Sequence, residues 1–409
     1  MSGERYGNVV LGQHPTWLPR FGSFTLPKPD RVEDGVAHID DVKTLQEHLQ
    51  LAIMVELSTI PTYLYGMYSV DQANDKTNAR TALFSVVIQE MLHLVLAGNA
   101  LKAIGGSPTL YPKKGHLEYF PKYPMHMAGH ADPPVVLALR RPDLYQVLSY
   151  LHVELPEVSG SAPESEQYHS LGQFYDAIKI AMNNLLPKIP DLIDPTSADF
   201  QFSSDDKIYR TRPSGGIIQV VDIKTAAAAF DTIIEQGEGA GGSSHDEDPS
   251  ELAHFFQFAK LLQAPPPAVI KTIDNPKTPD YKDPKIAAVA GLSDATYCLL
   301  LLTIENCWKH SRKDDRRDEF VGSIFPIMTG ALKPLCEWLV TQPLGDGTFA
   351  GPGFNYFDYA EGDPLVEIQA LADAVVAKFG SDVPKSITDA VTSLKSLKIN
   401  LHPVKKAAP

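Results

Sequence analysis

Cysteine is scarce in this sequence. The 409 residues contain three, Cys298, Cys307 and Cys336, and no pair of them has the C-x-x-C spacing. An odd number with these spacings argues against a disulfide framework and against a cysteine-based zinc site. We therefore expect a cytoplasmic chain from a reducing compartment, in which the three thiols are buried packing residues.

The sequence also lacks features that would attach it to nucleic acid or to a membrane. The formal net charge is −14 and no strongly basic block offsets it, which argues against a nucleic-acid partner. The first residues lack the cationic start and apolar run of a secretory signal. The best apolar run, "YCLLLLTI" at 297–304, is too short to span a bilayer. We expect no membrane partner, whereas an oligomer would be compatible with the sequence.

Helical periodicity dominates the chain from residue 40 onward. Residues 40–69 place an apolar stripe on one helix face, and Pro61 is expected to break or kink that helix. A second long helix is predicted over 77–104, ending at "GGSP". Shorter helices are predicted around 142–152, 168–184, the second part of 216–239, 251–262, 290–311, 316–342, 364–379 and 384–396, with a short strand at 134–140.

These elements predict an all-α fold with one helical bundle and no short-period repeats. We place an extended N-terminal arm at 1–40 and the bundle at 41–263, with a long crossover over 105–220. Additional C-terminal helices at 264–409 are expected to pack on the bundle. Long loops join the elements.

A carboxylate and an imidazole interrupt the most apolar helix. In "VVIQEMLHLVLAGNALKAIGG" (86–106), Glu90 and His93 are surrounded by aliphatic residues. A buried pair that only satisfied each other would cost several kcal/mol in desolvation, on the order of a poorly compensated ion pair. A bound metal compensates both side chains, so we favour a metal site over a structural pair.

The Glu-x-x-His spacing of this pair occurs three times in the chain. It puts both side chains on one helix face, and bundle dimetal sites use two such pairs and two single glutamates. Glu251 and His254 begin an amphipathic helix, where taken alone a metal and a structural role are equally compatible. Glu166 in "SAPESEQYHS" instead reads as a solvated acid of a first helical turn, with His169 beside it.

The two single glutamates can be sought by topology. Glu56 lies on the apolar stripe of the helix that precedes Glu90, and a short turn makes the two helices antiparallel. Glu235 in "TIIEQGEG" is close to the hairpin that leads to Glu251, and Glu238 could replace it. We favour Glu235 because it is still in helical register. Glu154 in "HVELPE" is kept as a reserve candidate.

The proposed ligands are therefore carboxylates and imidazoles without a thiolate, a donor set that suits iron or manganese better than zinc. We expect two iron ions, with manganese as the alternative. Tyr63 lies two turns beyond Glu56, where it could hydrogen-bond a ligand, line a substrate pocket or simply pack. His116, His126 and His130 are read as surface-loop residues of the crossover.

Several motifs resemble a known family. "VELSTIPTYLYGMYS", "VIQEMLHLVLAGNALKAIGGSP", "SLGQFYDAI", "IIEQGEG" and "ELAHFFQF" are similar to the ferritin-like domain of the iminophenyl-pyruvate dimer synthase group, which includes the large proteins of violacein and rebeccamycin biosynthesis. The resemblance implies a ferritin-like four-helix bundle with additional helices, and a place in specialised metabolism. Those synthases join two imino acids derived from an aromatic amino acid, and this chain is much shorter. Gln173 stands where the family often has Glu.

Three functions follow as expectations. The first is a dimetal, di-iron carboxylate oxidoreductase that uses O₂ on a small organic substrate, aromatic or amino-acid-derived. The second is an oxidative coupling or condensation enzyme for amino-acid-derived imines that does not use the metals directly. The third is a non-enzymatic metal-binding protein.

Overall fold

A computed structural model describes residues 22–24, 27–33, 36–113, 117–131, 134–155, 171–237, 252–359 and 362–401. These residues form eleven α-helices and two small sheets. The helices are α1 Val42–Ser69, α2 Ala79–Ala103, α3 Leu144–Val153, α4 Leu171–Leu185, α5 Ile223–Gly237, α6 His254–Gln263, α7 Pro284–Lys309, α8 Asp315–Phe325, α9 Lys333–Leu339, α10 Pro364–Phe379 and α11 Lys385–Ser396. The prediction of an all-α fold is therefore confirmed.

The two longest N-terminal helices form an antiparallel pair at the centre of the molecule. Asp41 caps α1 by accepting the backbone N–H groups of Lys43 and Thr44. Pro61 was expected to break or kink α1, but the helix continues through it without a break. At the start of α2 the carboxylate of Asp75 accepts the N–H groups of the first two helical residues. Both helices are buried along most of their length, which leaves polar side chains inside the bundle.

Four shorter helices surround this pair. α3 packs on α6, and α6 also contacts α2. α4 and α5 contact each other, and they lie against α1 and α2 respectively. The α1–α2 pair is therefore enclosed by α4 and α5 on one side and by α3 and α6 on the other. Side chains that face inward from α1, α2 and α6 share one buried space with the end of α3.

The sheets are short and lie in the N-terminal segment and the crossover. β1 (Gly22–Ser23) pairs in parallel with β4 (Met125–Ala131), which pairs antiparallel with β5 (Pro134–Leu137). β2 (Arg31–Glu33) and β3 (Val36–His38) form a hairpin. The predicted strand at 134–140 is thus present in shortened form. His126 and His130 are strand residues of β4 rather than loop residues, and the His126 side chain is half-buried; His116 lies outside the described residues.

The C-terminal helices pack on this bundle through α7. Asp283 caps α7, and Pro284 occupies its first turn. Between α8 and α9 the residues Pro326–Leu332 adopt a π-helix, so the single helix expected over 316–342 is divided into three parts. The three cysteines are buried and free, as expected for packing residues.

Within the described residues, two helices, α2 and α7, are long and apolar enough to cross a membrane. Most of each apolar window, 72% in α2 and 78% in α7, is buried inside the protein. Core helices of globular proteins pass the same test, so this property alone is weak support for a membrane span. The apolar run at 297–304 belongs to α7 and packs in the core.

Candidate metal centre

Three carboxylates and two imidazoles meet in the space between α1, α2, α3 and α6. Each is at most 2% exposed. α1 contributes Glu56, α2 contributes Glu90 and His93, the residue after α3 is Glu154, and α6 begins with His254. The i, i+3 spacing on α2 brings its two side chains to one face, as the sequence predicts.

These five side chains form two groups that share one member. Glu56, Glu90 and His93 make the first group, and Glu90, Glu154 and His254 make the second. Within each group the donor atoms lie within 4.8 Å of one another. His93 Nδ1 is 3.5 Å from Glu56 Oε2, and His254 Nδ1 is 2.9 Å from Glu90 Oε1. The arrangement has the carboxylate of Glu90 in the middle and an imidazole on either side.

Hydroxyl groups hold the carboxylates from outside the two groups. Tyr63 donates to Glu154 Oε1 at 2.6 Å, and Tyr175 of α4 donates to Glu56 Oε1. Thr59 donates to Glu90 Oε2 at 2.8 Å. Glu56 and Glu154 therefore each have one oxygen fixed by a hydroxyl group and the other directed into the cluster. Glu90 directs both oxygens into the cluster, Oε1 to His254 and Oε2 to His93.

The three carboxylates of the cluster are buried close together, so their charges repel one another unless a cation or a proton compensates them. Burial, together with the charges of Glu154 and Glu56, raises the pKa of Glu90 well above its ordinary value. Burial alone would also raise the pKa of Glu56, but its interactions with His93 and with the hydroxyl group of Tyr175 outweigh burial and lower that pKa. No lysine or arginine is among the described residues that line the adjoining cavity.

A polar atom without a partner shows where a cation would bind. His254 Nδ1 is buried and has no hydrogen-bond partner among the described residues, although two carboxylates lie within 3.6 Å of it. A nitrogen and carboxylate oxygens at this separation, without hydrogen-bond geometry, match ligands arranged around a common ion. Oxygen and imidazole donors without thiolate suit iron or manganese. The residues present therefore fit a pair of such metal ions.

A small cavity adjoins the first group. Besides the carboxylates and His93, it is lined by Tyr175 and Gly172 of α4 and by Ile233, Ile234 and Gly237 of α5. The walls away from the candidate ligands are therefore apolar or aromatic. The free space in this cavity is about that of one water molecule.

The structure brings together most of the residues singled out from the sequence. Glu56, Glu90, His93 and His254 are in the cluster, and Tyr63 contacts it through Glu154. Glu154, the reserve candidate, supplies the carboxylate expected from Glu235. Glu235 itself is exposed on α5 and is in neither group, because the next residue in the helix, Gln236, faces inward. Glu238, Glu251, Glu166 and His169 lie outside the described residues.

Sequence reasoning missed three side chains around the cluster. Tyr175, Gln89 and Gln236 contact candidate ligands. Tyr175 belongs to the motif "SLGQFYDAI", of which only Gln173 was compared with the family. Gln89 and Gln236 adjoin Glu90 and Glu235 in sequence. Their position on the inward faces of these helices was the feature from which a buried amide could have been predicted.

With this geometry established, comparisons with known proteins define the family. A family model described as Ferritin-like matches residues 49–263, more than half of the chain. The chain belongs to the ferritin-like family. The matched region contains every described member of the cluster, from Glu56 to His254. The resemblance drawn from the motifs is thereby confirmed for the ferritin-like domain.

Two relatives refine this assignment. Dichlorochromopyrrolate synthase from Lentzea aerocolonigenes is 25% identical over 315 residues, which are 68% of this chain and 30% of that protein. This chain therefore spans about a third of the length of that relative. The crystal structure of a ferritin-like protein from Caulobacter vibrioides covers 76% of this chain and 97% of its own, with a TM-score of 0.54 and 23% identity. The second relative supports the fold.

Proposed function

We propose that this ferritin-like protein is a di-iron carboxylate oxidoreductase that uses O₂ on a small organic substrate in specialised metabolism. The observation that carries the proposal is the shared carboxylate: Glu90 belongs to two groups, each with a further glutamate and a histidine. Bundle dimetal sites combine such carboxylates with Glu-x-x-His pairs. Glu251, three residues before His254, would complete the second pair.

The side chains divide the work of the site. Glu56 and His93 would hold one metal, Glu154 and His254 the other, and Glu90 would lie between them. Two bound iron ions, or manganese in their place, supply the electrons that reduce O₂. Tyr63 and Tyr175 keep the outer carboxylates in position, and burial of all five ligands excludes bulk water from the centre.

The cavity wall suggests the class of substrate. Ile233, Ile234 and Tyr175 offer apolar and aromatic contacts, and the described lining contains no lysine or arginine to bind a substrate carboxylate. We propose an aromatic or amino-acid-derived substrate whose apolar part would displace these side chains on entering, because the cavity itself has room for only about one water molecule. The relationship to dichlorochromopyrrolate synthase favours one second candidate, an oxidative coupling enzyme that does not use the metals directly.

Metal analysis tests the proposal. Protein purified without chelator, or loaded anaerobically with Fe²⁺, should contain about two metals per chain, the number held by a bundle dimetal site. Glu90→Ala should reduce the content to less than half, because it removes the ligand common to both groups. Glu305→Gln is the matched control, since this buried carboxylate of α7 binds the backbone of Leu110 and Tyr111 away from the cluster.

Oxygen consumption separates the remaining functions. The iron-loaded protein should consume O₂ faster when aromatic or amino-acid-derived compounds are added, and the Glu90→Ala variant should not. Folded wild-type protein that stays free of metal would contradict the di-iron proposal. Coupling activity that persists in the metal-free protein would favour the second candidate, whereas stable metal binding without any O₂ consumption would indicate a non-enzymatic metal-binding protein.

A further inference from the structure

Two buried glutamines occupy equivalent positions behind the two imidazoles. Gln236 Oε1 lies 2.9 Å from His93 Nε2, and Gln89 Oε1 lies 3.0 Å from His254 Nε2. Gln89 is completely buried and Gln236 is 2% exposed. Each histidine thus has an amide at its outer nitrogen and carboxylates at its inner nitrogen.

The hydrogen bonds of Gln236 fix the direction of this contact. Gln236 Nε2 donates to the backbone oxygen of Ser214 at 2.9 Å. A carbonyl oxygen only accepts, so the amide nitrogen must face Ser214 and the amide oxygen must face His93. That oxygen in turn needs a donor, so His93 carries its proton on Nε2. The Nδ1 lone pair of His93 is therefore directed at Glu56 and Glu90.

A different observation indicates the same tautomer for His254. With Gln89 Oε1 at its Nε2, His254 donates outward and leaves Nδ1 unprotonated. His254 Nδ1 is the buried nitrogen without a hydrogen-bond partner in the described part of the chain. A lone pair on Nδ1 explains this, because a carboxylate oxygen nearby offers no proton to it.

We propose that Gln89 and Gln236 are positioning residues of the metal centre, each holding one histidine in the tautomer that presents Nδ1 to a metal. The inference rests on the proposed di-iron site and adds residues that neither donate nor accept at the metals. It also gives α5 a part in the centre, through Gln236 rather than through the glutamate predicted beside it.

The choice of an amide has a chemical consequence. Metal-bound histidines commonly donate their outer N–H to a carboxylate, a backbone carbonyl or water. A carboxylate in this place draws the proton strongly and raises the basicity of the ligand. A neutral amide orients the ring without adding charge to a site that already contains three buried carboxylates. The glutamines thus orient the imidazoles without increasing the electron donation from the imidazoles to the metals.

Cobalt provides a test that does not depend on turnover. Protein loaded with Co²⁺ should give paramagnetically shifted proton resonances from the two ring N–H groups, and burial against the glutamines should make their exchange with solvent slow. Gln236→Leu should accelerate exchange at one resonance and Gln89→Leu at the other. Each variant should also bind Co²⁺ about 10-fold more weakly in competition with a chelator, the lower end of the effect found for such outer partners.

Two further variants control for packing and for fold. Gln201→Leu makes the same substitution at a buried glutamine that binds Ser197 and Val220, so both resonances and the affinity should stay as in the wild type. Gln89→Glu retains an acceptor for His254 and loses no other hydrogen bond within the described residues, because Gln89 Nε2 has no partner there. It should bind Co²⁺ at least as tightly as the wild type. If Gln236→Leu does not fold, the Gln89 pair decides the matter alone.

The outcomes distinguish this inference from the function on which it rests. Wild-type protein that binds no Co²⁺ would overturn both. Wild-type protein that binds Co²⁺, with leucine variants that match it in affinity and in both exchange rates, would overturn the role of the glutamines alone. Weaker binding with faster exchange at one resonance in each leucine variant, and neither effect in Gln201→Leu, supports it.

Discussion

One tyrosine hydroxyl group positions each of the outer carboxylates of the cluster, Glu154 and Glu56. Burial, and then the charge of Glu154, raises the pKa of Tyr63 well above its ordinary value, and burial with the charge of Glu56 does the same for Tyr175. Both phenols therefore stay protonated at any working pH and remain hydrogen-bond donors. Each leaves its carboxylate one oxygen for a metal, which makes the tyrosines orienting groups.

Removal of one hydroxyl group tests this role. In Tyr63→Phe, Glu154 loses its donor and is free to rotate, so we expect the affinity for the metals to fall about 10-fold. Tyr150→Phe is the matched control, because its hydroxyl group donates to the backbone oxygen of Thr62 and its ring packs in the same aromatic cluster. Metal competition titrations of both variants provide the measurement. Equal affinities in the two variants would contradict the orienting role.

The candidate ligands that could be predicted from the sequence were charged or polar residues in apolar surroundings. Glu56, Glu90 and His93 stand inside long apolar stretches, where burial of a charge requires compensation. Glu154 follows the last turn of a helix and lies two residues before Pro156, a position where carboxylates are ordinary. Glu235 and Gln236 differ by one helical position, and only the packed orientation of α5 decides which of them faces inward.

At the scale of whole elements, the end of α5 approaches the carboxylate at the end of α3. A Cβ atom built on Gly237 would lie 3.3 Å from Glu154 Oε2. This distance is shorter than most carbon–oxygen contacts, and the glycine lets the two helix ends come together. The packing of α5 on the bundle therefore affects the position of a candidate ligand directly.

Gly237→Ala should move Glu154 by a few tenths of an ångström. We expect metal affinity to fall by up to about 10-fold, while helical content stays unchanged because alanine is the better helix former. Gly322→Ala in α8 is the control, since no atom lies within 4 Å of its added Cβ. The control should raise the free energy of unfolding by up to about 1 kcal/mol and leave metal binding as it is. Unchanged affinity in Gly237→Ala would show that α5 does not constrain Glu154.

Helices and strands could be predicted where residues that mark their ends or their periodicity are present in the local sequence. Helix α10 was predicted over 364–379, and it has these bounds, because an aspartate cap and a proline mark its start and a glycine its end. Strands β1 to β3 are two or three residues long and show no alternation. The pairing of β1 also depends on contacts with distant residues such as Met125, which no local pattern reports.

At the scale of the whole molecule, the crossover and the C-terminal helices share buried polar contacts with the bundle. Asn99 of α2 donates to the backbone of Phe202 and Ile218 and accepts from the indole N–H of Trp308 in α7. The same part of the crossover contains Asp206, which binds Arg312 and Arg317 next to and within α8. These contacts predict that the crossover and α7–α8 unfold together with the bundle.

The Asp206 ion pairs give this coupling a pH dependence. Burial alone would raise the pKa of Asp206, but the hydrogen bond and charge of Arg317, the N–H of Ser203 and the bond from Arg312 outweigh it and lower the pKa. A carboxyl group with a lowered folded-state pKa stabilises the fold fully above its unfolded pKa of about 4, and this contribution disappears as the pH falls through the folded pKa.

Asp206→Asn should therefore destabilise the protein by about 3 kcal/mol at neutral pH, because it leaves a buried guanidinium without its ion pair. The difference in unfolding free energy from the wild type should be constant between about pH 5 and 7 and should shrink below about pH 4. Urea unfolding, monitored by helical circular dichroism across this range, gives both quantities. Asp389→Asn, which removes an exposed pair with Lys385, should differ little from the wild type at every pH. If the crossover were only loosely attached, Asp206→Asn would instead unfold with the wild-type midpoint, since the pair would contribute nothing to the cooperative transition.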